Sequence, residues 1–140
     1  MKKLLLIAAV SLLAINFNSC TGEKTDAEIL GATTWRITNL YVNGADFFAL
    51  ADNCDKDDVY YFNEDGTYKH DEGATTCNSG DPQIVEQGTW SVSSDGTTFT
   101  VSAGNDSYIY TVEVLSETEL RISAYDDFLQ ATTTAVYKPF

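Results

Sequence analysis

The chain has 140 residues and a formal net charge of −13 at pH 7, with 21 Asp and Glu against 8 Lys and Arg. This length suits one domain, and the strong negative charge argues against nucleic acid or an anionic membrane surface as a binding partner. We expect no contact with nucleic acid, and we expect a monomer.

The N-terminus has the features of an export signal. Lys2 and Lys3 precede an apolar run over 4–15, which is too short to cross a bilayer as a helix. Cys20 follows where the signal of a bacterial lipoprotein would be cut. We predict a signal peptide over 1–19 and lipidation of Cys20, whose acyl chains would anchor the protein to a membrane. The alternative is an ordinary signal peptide cut nearby, which leaves Cys20 as a free thiol.

An acylated tether is predicted over 20–29, followed by a domain over 30–140. Near this boundary, the segment from Asp26 to Gly31 predicts one helical turn with Asp26 as its cap. A lipid anchor predicts the cell envelope as the location, at the outer membrane, facing either the periplasm or the cell surface.

Beyond the tether, apolar alternation and turn residues recur at short intervals without a long helical pattern. Successive antiparallel strands with short links form a meander, and eight strands can close into a barrel without exposed edges. The sequence therefore predicts an all-β, eight-stranded antiparallel up-and-down barrel with a short N-terminal helical turn. The predicted strands are 35–42, 58–63, 67–72, 85–93, 98–102, 107–115, 119–125 and 132–138.

The requirement that apolar residues share one face predicts the registers of three hairpins. In the first hairpin, Gly66 takes the left-handed position of a three-residue loop. The predicted cross-strand pairs are Phe62–Tyr68, Tyr60–His70, Val92–Phe99, Trp90–Val101, Val114–Leu120 and Val112–Ile122.

These registers predict which side chains enter the barrel. An eight-stranded barrel leaves room for side chains that fill it or for one small ligand, and the many large aromatics favour a filled core. The predicted interior comprises Trp35, Phe62, Tyr68, Trp90, Phe99 and Tyr110, together with Ile37, Val92, Val101, Val112, Leu120 and Ile122.

Cys54 and Cys77 form an even pair in an exported chain, which favours a disulfide. A zinc site would need about four ligands, and only His70 stands nearby. A redox pair would more usually be a close C-x-x-C. We therefore predict a disulfide between Cys54 and Cys77.

In a meander, alternate links lie at opposite ends, so the tight links form one end and the links at 43–57, 73–84, 103–106 and 126–131 form the other. Long loops on a rigid scaffold are common binding elements. Their apolar residues either fold down over the barrel as a lid or form an exposed portal or partner patch. These predicted rim residues are Phe47, Phe48, Leu50, Phe128 and Leu129.

Catalysis, metal and cofactors find little support in the sequence. His70 is the one histidine, and its charged neighbours predict an exposed surface residue. Asp52, Asp55, Asp57 and Asp58 offer oxygen ligands for Ca²⁺, but their spacing differs from an EF-hand loop and an acidic surface explains them equally well. We expect no enzyme activity, no cofactor and no metal.

The stretches "WRITNL", "YFNEDGTY", "GTWSV", "LSETELRI" and "VYK" together resemble the lipocalin-like domain of Gram-negative envelope lipoproteins, over about residues 30–138. The resemblance implies a small up-and-down barrel. Two functions remain open. One is binding of a small apolar or amphipathic ligand at the long-loop end. The other is an interaction module that contacts an envelope protein or a glycan through 43–57 and 126–131.

Overall fold

A computed structural model describes residues 22–140, in which the strands form an antiparallel meander. The first long strand also pairs with the last one, which closes the sheet into a barrel of eight strands, and a strand of two residues adds a short hairpin to the first. The predicted all-β barrel is confirmed. The strands are β1 (Trp35–Val42), β2 (Ala45–Asp46), β3 (Val59–Phe62), β4 (Thr67–Asp71), β5 (Ile84–Val92), β6 (Thr98–Ala103), β7 (Asp106–Ser116), β8 (Glu119–Asp126) and β9 (Ala131–Pro139).

Short helices accompany the barrel: α1 (Asp26–Gly31), a 3₁₀ turn (Phe48–Leu50) and α2 (Asn53–Lys56). None of the helices within 22–140 has both the length and the apolar character needed to cross a bilayer. The predicted signal peptide and Cys20 lie outside the described residues.

The cap of α1 is Thr25, so the prediction that Asp26 caps this turn was wrong. The Thr25 hydroxyl accepts a hydrogen bond from the backbone N–H of Glu28 at 3.2 Å, and the Glu28 carboxylate accepts one from the Thr25 N–H at 2.7 Å. This reciprocal pair is a capping box, which satisfies two backbone donors at once. Asp26 therefore becomes the first helical residue, and α1 spans the predicted boundary at residue 30.

The hairpin registers follow the predicted apolar faces at every pair except one. β3 and β4 pair Phe62 with Tyr68 and Tyr60 with His70, and Gly66 between them has φ +82°. The predicted pairs of β5 with β6, and the Val112–Ile122 pair, are also present.

The predicted Val114–Leu120 pair was wrong because a β-bulge interrupts β7 between Val112 and Val114. One extra residue on the bulged strand reverses the faces of the residues that follow. Val114 therefore opposes Arg121 and is exposed, while Leu115 opposes the fully buried Leu120 and packs against the core.

The tight-turn end of the barrel is its closed base. Leu30, at the end of α1, is fully buried, and its carbonyl accepts a hydrogen bond from Trp35 Nε1 at 2.9 Å. Gly31 lies so close to the β3–β4 link that a Cβ there would be 2.4 Å from the Glu64 side chain. Lys24 forms an ion pair with Glu117 in the β7–β8 link. The chain thus enters the domain at its base.

The opposite end carries the long links, and a disulfide joins two of them. Cys54 lies in α2 and Cys77 in the β4–β5 link, with their Cα atoms 5.2 Å apart. Asp57 reinforces this junction, since its carboxylate accepts hydrogen bonds from the Ala74 N–H at 3.1 Å and the Thr75 hydroxyl at 2.9 Å. The two links therefore form one connected structure.

Removal of the disulfide tests this junction. The double variant Cys54→Ser, Cys77→Ser should lose about 3 kcal/mol of unfolding free energy, because the bond closes a long loop in the unfolded chain. Urea denaturation of the oxidised protein and of the variant measures the loss. A reductant should lower the wild-type midpoint and leave that of the variant unchanged. Equal midpoints for oxidised wild type and variant would contradict the prediction.

Candidate functional site

A cavity of about 220 Å³ lies inside the barrel, in the half nearer the long links. Its walls come from inward-facing positions of β3 to β9, and no residue from the rim links contributes to them. The lining residues are Tyr60, Phe62, Tyr68, His70, Glu86, Phe99, Val101, Tyr108, Tyr110, Ile122 and Tyr137. The expectation of a barrel filled throughout was therefore wrong for this half.

The floor of the cavity is a packed aromatic cluster. The rings of Phe62 and Phe99 meet edge to face, with centroids 5.3 Å apart, and Trp90 stacks on Phe99 at 5.9 Å. Trp90 Nε1 donates a hydrogen bond to the Asn63 carbonyl at 2.9 Å, which satisfies the polar atom of this ring. Below them lies the fully buried Trp35. Of the six predicted interior aromatics, five are buried and Tyr110 is half-buried. The buried ones are Trp35, Phe62, Tyr68, Trp90 and Phe99.

Tyrosines form most of the wall above this floor. Burial raises the pKa of Tyr60, Tyr68, Tyr110 and Tyr137, so these hydroxyls stay protonated at neutral pH. A side-chain hydrogen bond with Glu86 contributes to the raised pKa of Tyr68, so this hydroxyl already has a partner on the cavity wall. Tyrosine hydroxyls on this wall can act as donors and acceptors towards a ligand or water.

His70 lies inside the barrel, so the prediction of an exposed surface residue was wrong. Its Nε2 is 2.7 Å from Asp58 Oδ2, and its ring stacks on Tyr60 with centroids 4.3 Å apart. Its side chain is 17% exposed. The carboxylate and the tyrosine ring together hold the imidazole in one orientation at the cavity wall.

Asp58 holds His70 through a hydrogen bond, and its own surroundings disfavour the charged form of its carboxyl. Its Oδ1 is buried and has no hydrogen-bond partner among the described residues. Burial raises the pKa of the Asp58 carboxyl, the nearby Asp55 and Asp57 raise it further, and His70 opposes this rise. Asp58 lies between α2 and β3 and directly precedes the first residue of β3.

Glu86 places a carboxylate on the same wall. It opposes His70 in the β4–β5 register and is half-buried. It belongs to none of the ion pairs found in the part of the chain that the structure describes. Burial is the main cause of the raised pKa of Tyr68 and Tyr110, and the Glu86 carboxylate adds to it for both hydroxyls. Its negative charge therefore acts on both of these cavity residues.

Sequence reasoning missed His70, Glu86, Tyr60, Tyr108 and Tyr137 as cavity residues. The alternation of inward and outward side chains along each strand would have identified two of them. Tyr68 was placed inside, and residues two apart on a strand share a face, so His70 had to face inward as well. The same step from Trp90 through Gly88 places Glu86 inside.

The predicted rim residues lie away from this cavity. Phe128 is 94% and Leu50 is 78% exposed, and Phe47 and Leu129 are also exposed, while Phe48 is half-buried. None of these five residues lines the cavity, and the four exposed ones do not pack over the barrel as a lid. Asn43, in the turn after β1, exchanges hydrogen bonds with the backbone of Thr132 in β9.

The four aspartates of the disulfide-bonded loop point to separate partners. Asp52 and Asp55 cap α2 reciprocally, Asp57 binds Thr75, and Asp58 binds His70. Within 22–140, Cys54, Asp55 and Cys77 are the one group whose ligand atoms cluster as a metal site would require, and both sulfurs are in the disulfide.

A closed antiparallel barrel of eight strands, with an interior cavity in one half, defines a lipocalin-like architecture. The family model described as a lipocalin-like domain matches residues 29–122, and the chain belongs to this family. The match ends within β8, while β9 completes the barrel beyond it. A comparison with curated proteins found no match.

The ionisation of Asp58 gives stability a pH dependence. Because its pKa is raised, the folded state binds this proton more tightly than the unfolded chain does. Its contribution to stability is full below the ordinary value of 3.8 and is lost as pH rises through the raised pKa. We expect wild type to lose stability relative to Asp58→Asn as pH rises from about 4 towards 7.

Urea midpoints of both proteins across this range measure the difference. Asp106→Asn, at an exposed position at the start of β7, is the control and should follow the wild-type curve. Parallel curves for wild type and Asp58→Asn would contradict the assignment.

Proposed function

We propose that this protein is a lipid-anchored envelope protein that binds one small amphipathic molecule inside its barrel. The observation that carries the proposal is the cavity of about 220 Å³ between an aromatic floor and a polar wall. A cavity of about 150 Å³ in another protein is known to bind benzene, so the present volume suits a ligand slightly larger than one aromatic ring.

The lining favours an amphipathic ligand over a purely apolar one. Phe62, Phe99 and Val101 offer apolar contact below, while hydroxyls, an imidazole and a carboxylate converge above. Binding sites commonly combine apolar walls with a few placed polar groups that fix the orientation of the ligand. An alkane would leave those groups without partners.

The proposal assigns binding and no reaction. The residues that line the cavity include no serine, threonine or cysteine that His70 and Asp58 would activate as a nucleophile. The anchor rests on the N-terminal sequence, in which Lys2, Lys3 and the apolar run precede Cys20. Acylation of Cys20 would place the closed base near the outer membrane and direct the cavity half away from it.

A variant that fills the cavity tests the proposal. Val101 is buried and lines the cavity, so Val101→Phe puts a ring into the ligand's space. Native mass spectrometry of the full-length protein, purified from its own host, should show a small bound mass on the wild type that is absent from this variant. Overpacking costs about 1–3 kcal/mol, so the midpoint of unfolding is measured alongside.

Thr100→Phe is the matched control, because Thr100 is next to Val101 in β6 but lies on the outer face of the barrel. It should retain the bound mass. Should Val101→Phe unfold, Ile122→Phe replaces it, since Ile122 lines the same cavity from β8. A wild-type protein that carries no bound mass, or a folded Val101→Phe that keeps it, would refute the proposal.

Exposure of the rim favours a second candidate function, contact with an envelope protein or a glycan. Phe128 and Leu50 are the two most exposed large apolar residues in the part of the chain that the structure describes. Apolar side chains grouped at one end of a barrel are typical of an interaction surface.

The double variant Phe128→Ser, Leu129→Ser should abolish cross-linking of the protein to a partner in intact envelopes without lowering its unfolding midpoint. Both side chains are exposed, so their loss removes little packing. Ile109→Ser, an exposed apolar position on the outer face of β7, is the control and should leave cross-linking intact. Unchanged capture by the double variant would exclude this role for the rim.

A further inference from the structure

We propose that the molecule bound in the cavity is a small organic cation, an amine with about one ring, and that Glu86 is its counter-ion. The inference rests on the proposed binding function and adds the chemical class of the ligand. It follows from the charges inside the barrel and from the kind of surface that surrounds them.

One carboxylate, that of Glu86, and one imidazole, that of His70, line the cavity. Its lining contains neither lysine nor arginine, and Glu86 has no cationic partner among the described residues. His70 is already engaged by Asp58. Lys69, the residue before it, lies on the outer face, where it pairs with Asp71 at 3.2 Å and sits 3.9 Å from the Tyr61 ring centroid.

A carboxylate in a partly buried site is disfavoured unless a cation or several donors compensate its charge. A protonated amine supplies both, since it carries the opposite charge and N–H donors. An anionic ligand would meet the Glu86 carboxylate at close range and the field of a chain with net charge −13 at longer range.

The aromatic walls favour the same class. Ring faces attract cations, and tyrosine is among the residues that do so when the cation lies within about 6 Å of the ring centroid. Tyr60 and Tyr137 meet edge to face at 5.1 Å, so the two rings offer differently oriented surfaces. The Phe62 and Phe99 floor then accommodates the apolar part of the amine.

Three probes of matched size separate charge from shape: 2-phenylethylamine, 2-phenylethanol and phenylacetate. Isothermal titration of the full-length protein should show the amine binding at least tenfold more tightly than the alcohol, with no binding of the acid. Glu86→Gln should reduce amine affinity to that of the alcohol and leave alcohol affinity unchanged. Glu113→Gln, at an exposed position on β7, should behave as wild type.

Equal affinities of the amine and the alcohol, or an amine preference that persists in Glu86→Gln, would overturn the counter-ion assignment. The wild-type comparison of amine with alcohol decides the ligand class even if the variant does not fold. If the alcohol binds as tightly as the amine, the proposed binding function is supported and the proposal of a cationic ligand is refuted. Failure of the amine to bind also refutes a cationic ligand. The co-purified mass then decides separately whether the cavity holds a ligand.

Discussion

Pairing of β1 with β9 is the constraint on which the rest of the structure depends. The two strands pair from Trp35 with Pro139 to Val42 with Thr133, whereas β1 meets β3 at Trp35 and Tyr60 alone. Closure removes the free edges of the sheet and separates an inside from an outside. Without it, neither the aromatic floor nor the acid in the cavity would be shielded from bulk water, and their interactions would be far weaker.

The closed barrel divides into a filled half and a hollow half because its inward positions change character along the strands. Towards the base, Trp90 and Phe99 pack with the fully buried Leu30 from α1. Towards the long links, the corresponding inward positions hold Glu86 and His70, whose polar atoms are better satisfied beside water or a ligand than against hydrocarbon. Stability is thus concentrated at the base, and the opposite half is left available for binding.

The sequence predicted the barrel well because period-two alternation specifies both strands and registers. It failed where one residue breaks the period: Val114 and Leu115 are both apolar, so either satisfies the pattern opposite Leu120, and the bulge decides between them. His70 was misplaced for a different reason, since charged neighbours were given more weight than its alternation with Tyr68. The cavity itself was beyond prediction, because its volume is a small difference between the space enclosed and the side chains that occupy it.

The disulfide and the cavity are connected through Asp58. Cys54 ties α2 to the β4–β5 link, and the chain reaches Asp58 only a few residues later, directly before β3. The Asp58 carboxylate then holds His70 against Tyr60 on the cavity wall, opposite Glu86 in the sheet. A covalent bond at the rim therefore limits the freedom of the segment that orients a wall residue. In this barrel the rim supports the cavity through the disulfide and Asp58, while the exposed apolar side chains of the rim take no part in lining the cavity.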